Sequence, residues 1–337
     1  MVTDIHAHVI VPEILRDAAP DEEWRPVVRR DDGGPVVEVA GRAVRSMVEE
    51  VVDLDGILAA QDEAGVDRVV LCPFVPLLYY DADAEEGLRR CRIQNDGLAR
   101  LVRSKPDRVA ALGAVPLQDP ELAASELRAL IAGGELSGVE IAASVRGDYL
   151  GDERFEPFWA AAAETRAVVF VHPTTRGFDV PVFGEYYLWN AVGNPMETTV
   201  TAAHMVLAGV LERHPDLRVV LAHGGGAVLA LRGRLAHAHE VQPPARARLT
   251  ESPEASIKRF YFDTVVHDRA LLRALVDFAG PEHVLLGSDY PFDMGDLRPA
   301  ATVRASDLGG DTEAAILGGN AERLLSAAVT PTEEITR

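Results

Sequence analysis

Eight short apolar runs, separated by helical stretches, constrain the fold of this chain more than any other feature. The runs are rich in β-branched residues, whereas the segments between them carry Ala, Leu and Glu at helical spacing, as in residues 120–131 and 156–165. They are TDIHAHV from residue 3, DRVVLCP from 67, RVAALGAVP from 108, SGVEIAAS from 137, AVVFVHP from 167, RVVLAHG from 218, RFYFDTV from 259 and HVLLGSD from 283. Strands that alternate with helices predict βα units, and eight such units close an α/β fold of the (β/α)8 TIM barrel type.

The length of 337 residues fits one large barrel over residues 1–330, interrupted by two irregular regions. Residues 12–52 contain two β-rich runs around DDGG at 31–34, which predict a small β-hairpin inserted after the first strand. Residues 173–195 follow the fifth strand and are rich in Pro, Gly and aromatic residues, so they are expected to shape a site. Residues 331–337 are expected to form a frayed tail.

The charge balance and the few cysteines exclude several classes of function. With 53 acidic and 33 basic residues the net charge is −20, which argues against nucleic acids and anionic membranes as partners. No apolar stretch approaches the roughly 18 residues of a membrane span, and the first residues lack the pattern of an export signal. The two cysteines, Cys72 and Cys91, predict neither a disulfide framework nor a cysteine metal site. We therefore expect a cytoplasmic protein.

The first run carries the most informative chemical motif, the Asp-x-His-x-His of residues 4–8. His6 and His8 are alternate residues of a strand, so their imidazoles share a face, and two adjacent neutral imidazoles are half of a zinc site. The missing ligands occur at the ends of later strands, as His172, His223 and Asp289. Because the carboxyl ends of barrel strands meet at one face, these groups are predicted to hold a catalytic divalent metal with an open position for water.

Each of these residues also has a purely structural interpretation. A lone histidine at a strand end is more often a structural group, and this interpretation is given to His204, His214, His237, His239 and His283. Asp4 either is structural or orients an imidazole. Five chance placements at strand ends explain the main group poorly, which favours the metal site.

The chain resembles the amidohydrolase-related metal-dependent decarboxylases, and among them most of all the aminocarboxymuconate-semialdehyde decarboxylases. The similar segments are DIHAHVIVPE, residues 192–237 with AHGGG, FYFDTVVHDRALL and VLLGSDYPFDMGDLRP, in the same order along nearly the whole chain. The resemblance implies one Zn²⁺ per subunit, with Mn²⁺ possible, held by His6, His8, His172 and Asp289. It implies that His223 hydrogen-bonds the metal-bound water and acts as the acid/base.

The fourth run, GVEIAAS, lacks the lysine that bridges two metals in binuclear members of the superfamily, which favours a mononuclear site. Glu140 in this run either approaches the metal or has an outer or structural role.

The resemblance also indicates residues that contact the substrate. It places one arginine in the insertion, as Arg45 or its neighbour Arg42, and another after AHGGG, as Arg234. In the similar enzymes the second arginine reaches the partner's site, which implies a homodimer. A guanidinium can hold a carboxylate bidentately, although Arg45 fits a surface ion pair equally well. Phe292 matches a position that packs on a flat substrate, with a core aromatic as the alternative.

Together with the metal-site motif, the resemblance implies a zinc-dependent, cofactor-free, non-oxidative decarboxylase of an unsaturated or aromatic carboxylic acid. Metal-bound water, assisted by His223, would first make the reacting carbon tetrahedral. The alternative is a mononuclear zinc hydrolase or hydratase of a lactone, an amide or an unsaturated acid, in which Asp289 takes a proton. A third possibility is a binding protein with a relic metal site. Near the pocket the chain has Asn190 where the family has tryptophan, with Trp189 adjacent, so its substrate can differ.

Overall fold

The computed structural model describes residues 1–39, 41–47, 51–174, 178 and 180–326, so the tail predicted to fray lies outside the described residues. Within these ranges the chain forms thirteen strands. They are β1 (Thr3–Val9), β2 (Val27–Asp31), β3 (Gly34–Val39), β4 (Arg42–Val44), β5 (Arg68–Pro73), β6 (Val109–Ala111), β7 (Gly138–Ala142), β8 (Ser144–Val145), β9 (Asp148–Tyr149), β10 (Val168–His172), β11 (Arg218–Leu221), β12 (Tyr261–Asp263) and β13 (Val284–Leu285).

Eight parallel strands close into a barrel. They form two sheets, in the orders β1-β5-β6 and β13-β12-β11-β10-β7. A parallel bridge between Gly113 and Val139 joins one pair of sheet edges, and a parallel bridge between Ala7 and Tyr290 joins the other. Each of the eight apolar runs contains one of these strands, so the prediction of a TIM barrel is confirmed.

Helices follow most of the barrel strands. They are α1 (Leu54–Glu63), α2 (Ala84–Ser104), α3 (Pro120–Gly133), α4 (Glu156–Thr165), α5 (Asn194–Leu207), α6 (Val210–Arg213), α7 (Val228–Val241), α8 (Pro253–Ile257), α9 (Arg269–Ala279), α10 (Pro299–Arg304), α11 (Gly310–Ala314) and α12 (Asn320–Ser326). Four of them begin after an aspartate whose carboxylate accepts a hydrogen bond from an N–H of the first turn, namely Asp53, Asp83, Asp119 and Asp268. The helical stretches predicted at residues 120–131 and 156–165 correspond to α3 and α4. Among the described residues, no helix has the length and apolar character needed to cross a membrane.

Apolar side chains cover both faces of the barrel strands. Along β10, Val168 and Phe170 pack in the cluster that fills the barrel, whereas Val169 and Val171 pack outward with residues such as Phe158 of α4. Burial of both faces explains why the strands read as continuous apolar runs in the sequence. Among the residues of the site, His172, His223, Asp263 and Asp289 accordingly lie at or beyond the ends of strands, whereas His6 and His8 lie within β1.

The insertion after β1 is an antiparallel sheet of three strands, in the order β2-β3-β4, where the sequence suggested two. The third strand pairs Val44 with Val37, and both side chains are buried in the core beside β1. An antiparallel bridge between Met47 and Phe292 then joins this insertion to the segment after β13. The insertion is thereby fixed to a loop at the carboxyl end of the barrel.

Candidate metal centre

The five residues singled out by sequence converge at the carboxyl end of the barrel. His6 and His8 lie on β1, His172 is the last residue of β10, and His223 and Asp289 follow β11 and β13. Asp289 is at the centre of the group. Its Oδ1 atom lies 3.2 Å from Nε2 of His6, 3.2 Å from Nε2 of His8 and 3.9 Å from Nε2 of His172.

His223 approaches the other oxygen of this carboxylate. Its Nε2 atom lies 3.3 Å from Asp289 Oδ2, and its ring centroid is 5.1 Å from that of His172. Ligand atoms of His6, His172, His223 and Asp289 all lie within 4.8 Å of one another, which is close enough to share one ion. His8 joins this group because its Nε2 atom is 3.1 Å from that of His6.

The hydrogen bonds on the far side of each ring fix which nitrogen is free. Nδ1 of His8 lies 2.9 Å from the carbonyl oxygen of Pro73, and Nδ1 of His172 lies 2.9 Å from that of Pro173. A carbonyl oxygen can only accept, so in both rings Nδ1 carries the hydrogen and Nε2 keeps a lone pair.

Two of the convergent atoms lack a donor to satisfy them. Nε2 of His172 and Oδ1 of Asp289 are buried and have no hydrogen-bond partner among the described residues. Lone pairs that face one another without a hydrogen between them repel, unless a cation lies between them. The donor set of imidazole nitrogens and one carboxylate therefore fits a divalent metal ion.

The pKa shifts of the cluster follow the same logic. Burial opposes a charge on His6, but the carboxylates of Asp289 and Asp263 outweigh it and raise the pKa of His6 to about 10. Burial is the main cause that lowers the pKa of His172 to about 3. Against its own burial, Asp289 has a pKa well below the ordinary value because His6 and the other histidines face it. The cluster thus favours positive charge beside Asp289, and a divalent ion would supply it.

Asp263, the last residue of β12, is the main site residue that sequence reasoning missed. Its Oδ2 atom lies 2.7 Å from Nδ1 of His6 and accepts the backbone N–H of His223 at 3.0 Å, while Oδ1 accepts that of Gly224 at 2.8 Å. These bonds hold the pKa of Asp263 below its ordinary value although burial would raise it. One carboxylate thus orients both the His6 ring and the His223 turn. The available signal was an acidic residue at a predicted strand end, in FYFDTV.

Asp4 is structural, which settles the alternative left open by the motif. Its carboxylate accepts the backbone N–H groups of His6 at 2.9 Å and Ser288 at 3.0 Å, the Ser288 hydroxyl, and the Gln61 amide at 3.1 Å. Burial raises the pKa of Asp4 to about 6. Asp4 therefore ties β1 to the segment that carries Asp289, and Asp263 is the residue that orients an imidazole.

The backbone is strained where His223 and Asp289 lie. Both have positive φ angles, of 56° and 60°, which non-glycine residues rarely adopt. The three glycines after His223 also have positive φ angles, and a Cβ atom on Gly226 would lie 2.0 Å from the carbonyl oxygen of Pro195. The AHGGG segment is thus a tight turn that only glycines can complete, and it presents His223 to Asp289.

The proposed substrate residues are less closely grouped. The ring of Phe292 lies 5.2 Å from that of His8, so this aromatic borders the cluster. Arg45 is exposed and its guanidinium lies 2.9 Å from the carboxylate of Asp31, while Arg42 is exposed on β4. Arg234 is exposed on α7. The structure therefore brings Phe292 to the cluster, and it places the arginines on the surface.

Glu140 lies inside the barrel on β7 and is fully buried, with neither carboxylate oxygen hydrogen-bonded among the described residues. Its Oε1 atom is 3.8 Å from Nδ1 of His8, on the opposite side of that ring from Asp289. Burial raises its pKa well above the ordinary value.

The five histidines interpreted as structural lie outside the cluster. Four of them form hydrogen bonds elsewhere: His204 with Gly151, His214 with Glu156, His239 with Leu249 and His283 with Phe260.

Comparisons with known proteins show which proteins this chain is similar to. The profile of the family described as Amidohydrolase matches residues 3–326. A 2-amino-3-carboxymuconate-6-semialdehyde decarboxylase from Dictyostelium discoideum is 32% identical over 85% of this chain and 80% of the relative. The crystal structure of 5-carboxyvanillate decarboxylase from Sphingomonas paucimobilis superposes with a TM-score of 0.79, at 28% identity, over 96% of this chain and 98% of that one. A 5-carboxyvanillate decarboxylase from Novosphingobium aromaticivorans, complexed with manganese, shares the fold with a TM-score of 0.81 at 21% identity, over 97% and 96% of the two chains.

Proposed function

This chain belongs to the amidohydrolase family as a carboxy-lyase, and we propose that it removes CO₂ from an unsaturated or aromatic carboxylic acid without an oxidant or organic cofactor. One observation carries the proposal. Nε2 atoms of three histidines face Asp289 Oδ1, and a fourth histidine, His223, faces the other oxygen of the same carboxylate. The curated relative and the 28%-identical structure named above are both decarboxylases, which supports this choice over other reactions on the same fold.

His6, His8, His172 and Asp289 would hold a single divalent ion, Zn²⁺ in the first instance and Mn²⁺ as the alternative. The hydrogen bonds that the Nδ1 atoms of the three rings donate to Asp263 and to the carbonyl oxygens of Pro73 and Pro173 keep the ligating nitrogens in the required tautomer. When bound, the ion supplies positive charge that polarises a conjugated carboxylic acid and eases the ionisation of nearby water. Glu140 lies on the far side of the His8 ring from Asp289 and would contact that ring rather than the ion.

His223 would carry the proton that the reaction requires. Loss of CO₂ directly from an sp² carbon leaves a poorly stabilised anion, so that carbon must first become tetrahedral. A proton from Nε2 of His223 adds to the carbon, the bond to the carboxylate then breaks, and its electron pair restores the conjugated system. The net reaction consumes one proton and releases CO₂. Oδ2 of Asp289, at 3.3 Å, keeps the imidazole aimed between proton transfers.

Two arginines and one aromatic side chain would select the substrate. Arg45 and Arg234 each offer a planar fork for a carboxylate, and the ring of Phe292 beside His8 offers a surface for a conjugated plane. Arg45 must release Asp31 to do so. Arg234 is exposed on α7, so it is free to reach a second copy of the chain, and we include a homodimer in the proposal.

The test is a decarboxylation assay on Zn²⁺-loaded and Mn²⁺-loaded protein that follows substrate absorbance and released CO₂. Freshly generated 2-amino-3-carboxymuconate semialdehyde is the first substrate, and 5-carboxyvanillate and 2,6-dihydroxybenzoate are the aromatic ones. His223→Ala should retain the metal and lose about 100-fold or more of turnover, because the proton donor is gone. His237→Ala, with a side chain 72% exposed, is the matched control and should be unaffected. Water uptake without CO₂ would replace the proposal by the hydrolase or hydratase.

A further inference from the structure

We propose that the first two turns of α5 brace His172 and His223 against each other, with Glu197 and Thr199 as separate positioning residues. The inference rests on the proposed function, in which His172 holds the metal and His223 moves a proton. The two histidines follow different strands, and their ring centroids are 5.1 Å apart. β10 and β11 are paired neighbours, and their register brings the two histidines close together. His172 is the last residue of β10 and His223 lies beyond the end of β11, so we infer that contacts outside the strand pairing also hold the two rings in place.

Glu197 forms the arm toward His172. It is fully buried, and its Oε2 atom accepts the backbone N–H of Thr174 at 2.6 Å, two residues after His172. Its Oε1 atom accepts the hydroxyl of Ser144, in β8, at 2.9 Å. A buried carboxylate that accepts two hydrogen bonds is a strong anchor, so Thr174, two residues after His172, is held to α5 and to β8, which follows the neighbouring strand β7.

Thr199 forms the arm toward His223. Its Oγ1 atom accepts the backbone N–H of Ala227 at 2.7 Å, directly after the glycine turn, and donates to the carbonyl oxygen of Pro195 at 2.7 Å. The turn lies against the helix at the same place, because a Cβ on Gly226 would be 2.0 Å from that carbonyl oxygen. The His223 turn is therefore in direct contact with the first turn of α5.

The two arms predict different losses. Without the Thr199 bond the His223 turn can shift while the metal ligands stay in place, so turnover falls and metal affinity does not. Without the Glu197 anchor Thr174, and with it His172, can shift, so metal affinity falls. A merely structural role for α5 would affect both quantities together, through stability.

The Thr199 arm has a matched control on the same helix. Thr201 is also fully buried and accepts a backbone N–H from another segment, that of Leu150 at 3.3 Å, but this segment carries no site residue. In the metal-loaded enzyme, Thr199→Val should lower kcat about 10-fold with an unchanged Kd for Zn²⁺, and Thr199→Ser should restore kcat. Thr201→Val should change kcat by less than about two-fold, since removal of its bond leaves the site untouched. Equal losses in the two valine variants, or no rescue by serine, overturn this arm.

The Glu197 arm is tested by metal binding, without substrate. Chelator competition with Zn²⁺ or Mn²⁺ should show a Kd about 10-fold higher for Glu197→Gln, whereas Glu126→Gln, in a mostly buried carboxylate paired with Arg92 on the outer helices, should bind like the unaltered protein. An unchanged Kd in folded Glu197→Gln overturns the arm. If that variant does not fold, Ser144→Ala is measured instead, and the same criterion applies. The metal binding of the unaltered protein is read first, so a failure of the proposed metal site is distinguished from a failure of the brace.

Discussion

The cluster of histidines around Asp289 and the arginines proposed to bind the substrate differ in how the chain holds them. His6, His8 and Asp289 are buried, with at most 7% of a side chain exposed, and each is tied to a neighbouring strand or loop by hydrogen bonds. Arg45 is 49% exposed and its ion pair is with another surface residue. Arg234 is exposed on α7. The cluster is therefore buried within one chain, whereas the arginines lie on its surface, where the proposed function has them meet a substrate or a second copy of the chain.

This difference follows from where each group originates. Barrel strands set the positions of the cluster to within hydrogen-bond distances, because their register is fixed along both neighbours. A guanidinium at the end of a long side chain at the surface is held weakly, since exposed ion pairs contribute about 0 to 1 kcal/mol. Substitutions in the cluster should therefore cause large losses of metal binding and turnover. Substitutions of the arginines should change substrate binding and leave metal binding intact.

The largest effect is expected from Asp289, which faces all four histidines of the cluster. Asp289→Asn should abolish stoichiometric metal binding and lower kcat/KM about 1,000-fold or more, because the single carboxylate that neutralises the ion is lost. Metal content by elemental analysis and CO₂ release check this. Asp293→Asn, in a neighbouring exposed carboxylate, is the control. Full metal occupancy in Asp289→Asn would place the ion elsewhere.

A smaller loss of metal affinity or kcat is expected at Asp263, which contacts the ring of His6. Asp263→Asn keeps the shape but weakens the bonds to His6 and to the backbone of His223, so metal affinity or kcat should fall about 10- to 100-fold. The control is Asp268→Asn, which alters the aspartate that precedes α9 and accepts the N–H of Leu271 at 2.9 Å. If both variants bind metal and turn over alike, the cluster does not depend on its outer carboxylate, and the contrast with the arginines weakens.

Arg234 tests whether the second region is completed by another copy of the chain. Arg234→Gln should raise KM about 10-fold with unchanged metal binding. When Arg234→Gln subunits are mixed and reassembled with inactive His223→Ala subunits, complete sites form in mixed dimers, and kcat/KM should recover to about a quarter of the unaltered value. Arg232→Gln, whose guanidinium packs 5.3 Å from the Phe278 ring, is the control arginine. Exchange of subunits with no recovery would confine Arg234 to its own chain.

The smallest effect is expected at the ion pair between Arg45 and Asp31. Asp31→Asn should lower KM by less than about three-fold, because it frees a guanidinium from a pair worth less than about 1 kcal/mol. Arg45→Gln should raise KM, and Arg42→Gln should not. A KM unaffected by Arg45→Gln would show that Arg45 has only the surface role.

The same sequence pattern predicted both the barrel and the cluster. The continuous apolar runs of buried parallel strands are visible without a structure, and the carboxyl ends of eight such strands must meet at one face. His6, His8, His172, His223 and Asp289 could therefore be grouped although up to 283 positions separate them. The third strand of the insertion was missed because RAV is too short and too polar to show an apolar pattern.

The sequence by itself determined the architecture, the chemical type of the donors and their common face, because these depend on periodicity and on residue identity. Only the tertiary structure decided which group orients which. Asp4 and Asp263 are both acidic residues on barrel strands, yet Asp4 bonds the backbone N–H of His6 whereas Asp263 bonds its ring. That outcome depends on the register between strands and on the direction of each side chain, which are set by contacts between residues far apart in the chain.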